Sequence, residues 1–293
     1  GMMAASLYAV AMGPTTLDVP QPALSVGNFS DLWFKKKLSS CVKIVATPAG
    51  TDYYDAIALG DKLCSDPRYM AEGGAKNVAR RDGMGTTILS AVETIGRIPD
   101  AYFQAVGSGT GAIAAWENAE RLAADGRFGE NKMRIYASQN APFTIMYDSW
   151  KAHSRQLVPM TPEEGRNKAE VILGKVLSNR KPPYSLAGGL FDVLEKSGGD
   201  MFKVSNDEIV SWVVRYFSAE GYDLFPASAC AVASMKQALD AGVIKHDETV
   251  MLNVTGGGML GATRKGFVLK EPDLVLSPDL PAEEIIAAID KLF

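Results

Sequence analysis

The sequence predicts an α/β fold with a mainly parallel sheet. Short apolar runs rich in β-formers alternate with helical patterns along nearly the whole chain. One of them, ending at Val106, passes straight into Gly107-Ser108-Gly109-Thr110-Gly111 and then into a helix, Ala112–Leu122, with a small-residue face. A strand feeding a glycine loop and a helix N-terminus is an anion site in outline. Glycines allow positive φ and close approach, backbone N–H groups point at the guest, and the helix dipole favours negative charge. The expected guest is a phosphate group. The alternative is a tight strand-to-helix turn that binds nothing.

Composition narrows the class. The 293 residues suffice for one large or two modest domains, and 47% apolar with 22% charged residues is ordinary for a globular chain. A net charge of −4 argues against general nucleic-acid affinity, which needs a basic face. Cys41, Cys64 and Cys230 lack metal-ligand spacing and suit a reducing cytoplasm as small core hydrophobes. The apolar start has no basic flank of a signal peptide, and no run approaches ~18 apolar residues, so no membrane partner is expected.

Taken in order, Met2–Met12 reads as a helix apolar nearly all round, hence buried, and ended by Gly13-Pro14. Thr15–Val19 reads as a short strand and Ser30–Lys37 as a helix whose lysines face solvent. Cys41–Ala46 is a buried strand and Asp52–Cys64 a helix. Met70–Gly96 reads as a polar loop and then a long helix from about Gly85, so Asn77, Arg80 and Arg81 fall in the loop. A pair of arginines can grip a carboxylate or phosphate bidentately, or simply be surface charge. Beyond the central loop, Met133–Ser138 is a strand ending in Gln139 and Asn140, followed by a helix near Ser149–Gln156. Thr161–Leu177, Leu190–Ser197 and Asn206–Glu220, the last capped by Asn206, are helices, and Asp200–Val204 is a strand. A short strand, the turn Pro226-Ala227-Ser228-Ala229 and a small-residue helix follow. Thr249–Val254 is a core strand running into Thr255-Gly256-Gly257-Gly258, and a strand Phe267–Leu269 and a helix Ala282–Leu292 close the chain.

Other chemistries fit poorly. A nicotinamide site wants an acidic residue at the end of the next strand, where this chain has Gln139 and Asn140. His153 and His246 sit in unrelated polar segments, which suits surface residues better than metal ligands. A serine hydrolase needs a G-x-S-x-G elbow that the sequence lacks.

Three motifs change the picture together: Gly107–Gly111, Glu220 with Pro226-Ala227-Ser228-Ala229, and Asn253-Val254-Thr255-Gly256-Gly257-Gly258. In this order and spacing the chain resembles pyridoxal-phosphate (PLP) enzymes of the tryptophan-synthase-β type, within the threonine synthase branch. It looks most like the cysteate synthases, through DYYDAIAL (Asp52–Leu59), EGGAKNVARRDGMGT (Glu72–Thr86), YFQAVGSGTG (Tyr102–Gly111), NRKPPYS (Asn179–Ser185) and LNVTGGG (Leu252–Gly258). The resemblance implies PLP fold type II. It implies two α/β domains with mostly parallel sheets: residues 1–95 as a truncated smaller domain, 96–293 as the larger, phosphate-binding one, with the cofactor cleft between them.

It also implies roles. Gly107, Ser108, Gly109, Thr110 and Gly111 would hold the PLP phosphate, Thr255 would face the pyridine nitrogen, and Asn77, Arg80 and Arg81 would bind substrate. The implied reaction is a β-replacement in which phosphoserine loses phosphate and sulfite takes its place, giving cysteate for coenzyme M biosynthesis. The implied partners are these small molecules and further copies of the chain, in the cytoplasm. Threonine synthase chemistry on phosphohomoserine is the runner-up, and a non-catalytic phosphate-binding protein the reading from another class. In the family a Schiff-base lysine in an S-x-K segment and an S-x-G-N-T-G loop precede the helix matched by Met2–Met12. Neither the lysine nor the Asn loop stands ahead of that helix in this sequence, so impaired turnover and weak cofactor binding are expected.

Overall fold

The computed structural model describes residues 10–14, 43–256 and 272–292. Among them the chain forms two compact units, divided after Gly73, with the C-terminal segment grouped with the first. The sequence reading instead set the boundary near residue 95 and kept the tail with the larger part. Pairing decides the difference. The tail strand joins the first unit's sheet, and the helix before residue 95 packs on a helix of the second unit.

In the first unit, β1 (Val10–Pro14) runs parallel to β2 (Lys43–Thr47), Val10 opposite Lys43 and Pro14 opposite Thr47. The strand Leu274–Val275 pairs with β2 on its other side. α1 (Tyr53–Leu63) starts at a capping box. The Asp52 carboxylate accepts the N–H groups of Tyr54 and Asp55, and the Asp55 carboxylate accepts that of Asp52. Leu59 and Leu63 of α1 meet Val45 of β2 and Ile285 and Ile289 of the helix Ala282–Asp290 in one small core.

Residues 10–12 correct the expected helix Met2–Met12, whose remainder lies outside the described residues. An all-apolar run does not separate a buried helix from a buried parallel strand, and here the neighbouring strand decided. The expected elements Thr15–Val19, Ser30–Lys37 and Phe267–Leu269, and Cys41, also lie outside.

The second unit opens with a 3-10 turn, Gly74–Lys76, and α2 (Val78–Ile95). The helix therefore begins seven residues before the expected Gly85. The Asn77 side chain caps it by accepting the Arg80 N–H, which places Arg80 and Arg81 on its first turn rather than in a loop. Gly83 and Gly85 disguised the helix in the sequence. Gly85 is there because a Cβ would lie 1.9 Å from the Asn118 amide of the facing helix.

The remaining elements are β3 (Ala101–Ala105), α3 (Thr110–Asp125), β4 (Arg134–Asn140), α4 (Ile145–Lys151), α5 (Pro162–Val171), α6 (Leu190–Ser197), β5 (Asp200–Val204), α7 (Asn206–Glu220), α8 (Pro226–Asp240) and β6 (Val250–Leu252). The four strands form one parallel sheet in the order β5-β4-β3-β6. Period-two alternation splits its core. Tyr102, Ile135 and Ala137 pack under α3 and α6 on one face. Ala101, Phe103 and Tyr136 pack with Ala238 of α8 on the other, and the Phe103 and Tyr136 rings stack at 4.8 Å.

Four further expectations change. α4 starts four residues before the expected helix, because Gln139 Oε1 accepts the N–H groups of Met146 and Tyr147 at its N-terminus. α5 stops at Val171, and Lys175–Leu177 is a separate 3-10 turn. Ser205, not Asn206, caps α7, through a box with Glu208. The stretch before Pro226 forms no strand of its own; Pro226 opens α8 at once, as proline at a first turn does. His153 and His246 are exposed and Cys230 is buried, with burial pushing its thiol up to about 12. No helix among the described residues is long and apolar enough to cross a membrane.

The loop Ser178–Gly189 is tied down by charge. The Arg155 guanidinium pairs with Asp192 on α6, whose carboxylate also accepts the Gly188 N–H at 2.7 Å. Arg155 thereby holds the Asp192 carboxyl below its usual range. A carboxyl depressed in the folded state stabilises it above the unfolded value, about 3.9, and loses that contribution as pH falls through the folded value. Urea titrations should therefore show stability falling below about pH 4. Asp192→Asn should be less stable than wild type at pH 7 and show a smaller acid drop.

Candidate functional site

The glycine loop leaves the carboxyl end of β3 and enters α3. Gly109 is the N-cap at φ +80, a conformation only glycine adopts cheaply, and the first helical rung runs from Ile113 N–H to Gly109 oxygen at 2.9 Å. The N–H groups of Thr110, Gly111 and Ala112 precede that rung, so they are the donors a helix start offers to an anion. The Ser108 and Thr110 hydroxyls lie 2.8 Å apart beside them.

Each glycine is required by a neighbour. A Cβ on Gly107 would sit 2.7 Å from the Val176 carbonyl oxygen, one on Gly109 would sit 3.2 Å from Leu190, and one on Gly111 would sit 2.6 Å from Gln104 Oε1. The cup is thus pressed between β3, the 3-10 turn Lys175–Leu177 and the start of α6.

β6 runs beside β3, with Phe103 opposite Leu252, and the Asn253 N–H donates to the Phe103 oxygen at 2.9 Å. Adjacent strands lie about 4.8 Å apart, so the cup and Thr255 leave the same sheet edge side by side. From β3 the chain turns to α3, whereas Gly256 after β6 is held by Ser228 of α8, on the opposite face. The carboxyl ends of parallel strands are where open α/β sheets take ligands.

Ser228, fully buried, makes two bonds to Gly256: its hydroxyl donates to the oxygen at 2.9 Å and accepts the N–H at 3.0 Å. Its Oγ lies 3.5 Å from Thr255 Oγ1, and Thr255 itself is exposed. Beneath the cup, the Tyr102 hydroxyl donates to Gln104 Oε1 at 2.7 Å and accepts from Asn253 Nδ2 at 2.7 Å. Burial pushes the Tyr102 phenol well above its usual range, so it stays a donor.

The structure therefore gathers Gly107, Ser108, Gly109, Thr110, Gly111 and Thr255 at one edge. It does not bring Arg81 there. Its Nε pairs with Glu117 at 3.1 Å and its Nη1 donates to the Ala75 oxygen at 2.8 Å. Glu117 lies seven residues, about 10 Å, along α3 from Thr110. Lys175 borders the cup, but its ammonium donates to the Ala169 and Glu170 carbonyls that close α5. Sequence reasoning passed over Tyr102, Gln104 and Ser228 as individual residues. A glutamine two positions after a tyrosine in an apolar strand was the available signal, since both then share a face.

The close approach at Gly111 predicts the cost of breaking the cup. Gly111→Ala should lower unfolding free energy by about 1–3 kcal/mol, because the buried Gln104 amide cannot swing aside. A urea titration with an unshifted midpoint would contradict that packing.

The sequence profile of the family described as "Pyridoxal-phosphate dependent enzyme" matches residues 8–256. A cysteate synthase of Methanosarcina acetivorans is 42% identical over 258 residues, 87% of this chain and 62% of that protein. One of Methanoculleus marisnigri is 51% identical over 208 residues, 71% of this chain and 48% of that protein. The chain thus spans under two thirds of the length of these curated relatives. A crystal structure of a pyridoxal 5'-phosphate-dependent aspartate racemase superposes with a TM-score of 0.60 at 12% identity, covering 88% of this chain and 79% of that one, a likeness of fold alone.

Proposed function

Because this chain belongs to the family of pyridoxal-phosphate-dependent enzymes, we propose that it serves a cysteate synthase-type β-replacement, taking O-phosphoserine and sulfite to cysteate and phosphate. The observation carrying this reading is the phosphate cup and the Thr255 hydroxyl side by side at one sheet edge, in a chain 42% identical to a cysteate synthase.

In this reading the Thr110, Gly111 and Ala112 N–H groups and the Ser108 and Thr110 hydroxyls hold the cofactor phosphate, with the α3 dipole adding to the attraction. Thr255 presents a neutral hydroxyl to the pyridine nitrogen and does not compel its protonation, as a carboxylate there would. Ser228 keeps that hydroxyl in place by locking Gly256 to α8. When bound, pyridoxal phosphate supplies the electron sink that lets a β-phosphate leave and a nucleophile add. Asn77, which caps α2, Arg81, which straps it to α3, and Arg80 on the same first turn would bind substrate.

Mixing the protein with pyridoxal phosphate should produce saturable binding by cofactor fluorescence. Incubation with phosphoserine and sulfite should then release phosphate and form cysteate at an impaired rate, detected by mass spectrometry. Threonine formed from phosphohomoserine, with no cysteate, would replace this reading by the threonine synthase one.

A further inference from the structure

A buried polar chain joins the two halves of the site. The Gly111 backbone rests on the Gln104 amide, so the height of the Gln104 side chain sets how closely the first turn of α3 approaches β3. Gln104 Oε1 accepts from the Tyr102 hydroxyl at 2.7 Å, and that hydroxyl accepts from Asn253 Nδ2 at 2.7 Å. Asn253 Nδ2 also reaches Gln104 Oε1 at 3.4 Å, closing a triangle. Thr255 follows Asn253 by two residues, and Ser228 holds the next residue to α8. The cup and the Thr255 hydroxyl are thus linked by side chains as well as by the backbone pairing of β3 and β6.

Ile113, Ala115, Ile135 and Ala137 are apolar members of the same layer, and an apolar pair at 102 and 104 would pack α3 without burying a hydroxyl and an amide. What a hydrogen-bonded chain adds is a fixed spacing, because its distances are set to a few tenths of an ångström.

We propose that Tyr102 is a positioning residue that, through Gln104 and Asn253, sets the span between the phosphate cup and Thr255, and so matches the site to a molecule carrying both a phosphate and a pyridine ring. This rests on the function proposed above. The matching makes the two contacts mutually dependent: the ring reaches Thr255 at full strength only when the phosphate sits at the height that Gln104 dictates.

The test compares inorganic phosphate, which needs the cup alone, with pyridoxal phosphate, which needs both ends. In Tyr102→Phe, affinity for pyridoxal phosphate should fall about tenfold, with inorganic phosphate affinity within twofold of wild type. Thr255→Val should weaken pyridoxal phosphate in the wild-type background and change it by less than twofold in the Tyr102→Phe background. Asn253→Ala, at a partly exposed position, should reproduce this pattern and serves if Tyr102→Phe does not fold. Equal losses for both ligands, or additive losses in the double variant, would overturn the positioning role and leave the proposed function standing. A wild-type protein that binds no pyridoxal phosphate would overturn both.

Discussion

The second unit depends on the close approach of α3 to the end of β3. Glycine at 107, 109 and 111 lets the turn press against Val176, Leu190 and Gln104 at distances where a Cβ would collide. That compression leaves the N–H groups of the first helical turn at the sheet edge. It also makes the start of α3 a poor place for any side chain of its own. The result is a cup of backbone donors and two short hydroxyls, which suits a phosphate better than any apolar guest.

The sheet order turns the cup into half of a site. Because β6 returns to lie beside β3 after the chain has built β4 and β5 outward, the last strand of the unit delivers Thr255 next to the first strand's loop. Ser228 completes the arrangement by bonding both polar groups of Gly256. Residues more than a hundred positions apart in sequence thereby converge on a space the width of neighbouring strands. The likeness to cysteate synthases gives that space a chemical interpretation, and the polar chain through Tyr102 gives it a dimension.

Much of this was legible beforehand. Strong local signals did the work: the run into Gly107–Gly111, the limits of α6 and β5, and the start of α1 at Asp52 were all readable from short-range patterns. The misreadings share a cause, which is that a distant partner overrode a local preference. The stretch before Gly85 looked like loop, but α2 runs through it and needs the small residue where Asn118 meets it. The α4 start was hidden because its cap is Gln139, a strand residue whose amide accepts two helix N–H groups. Residues 10–12 looked helical because the apolar run carries no period, and β2 recruits them into a strand.

What the sequence determined by itself was the alternation of strands and helices, the anion-binding turn and the family it resembles, because those rest on residues close together in the chain. Only the tertiary structure decided that Arg81 pairs with Glu117 and donates to the Ala75 carbonyl, and that Tyr102, Gln104 and Asn253 form one hydrogen-bonded chain. It also placed Ser228 on Gly256. The physical reason is that a buried polar side chain takes whichever partner packing brings within about 3 Å, and packing brings partners from elsewhere in the chain.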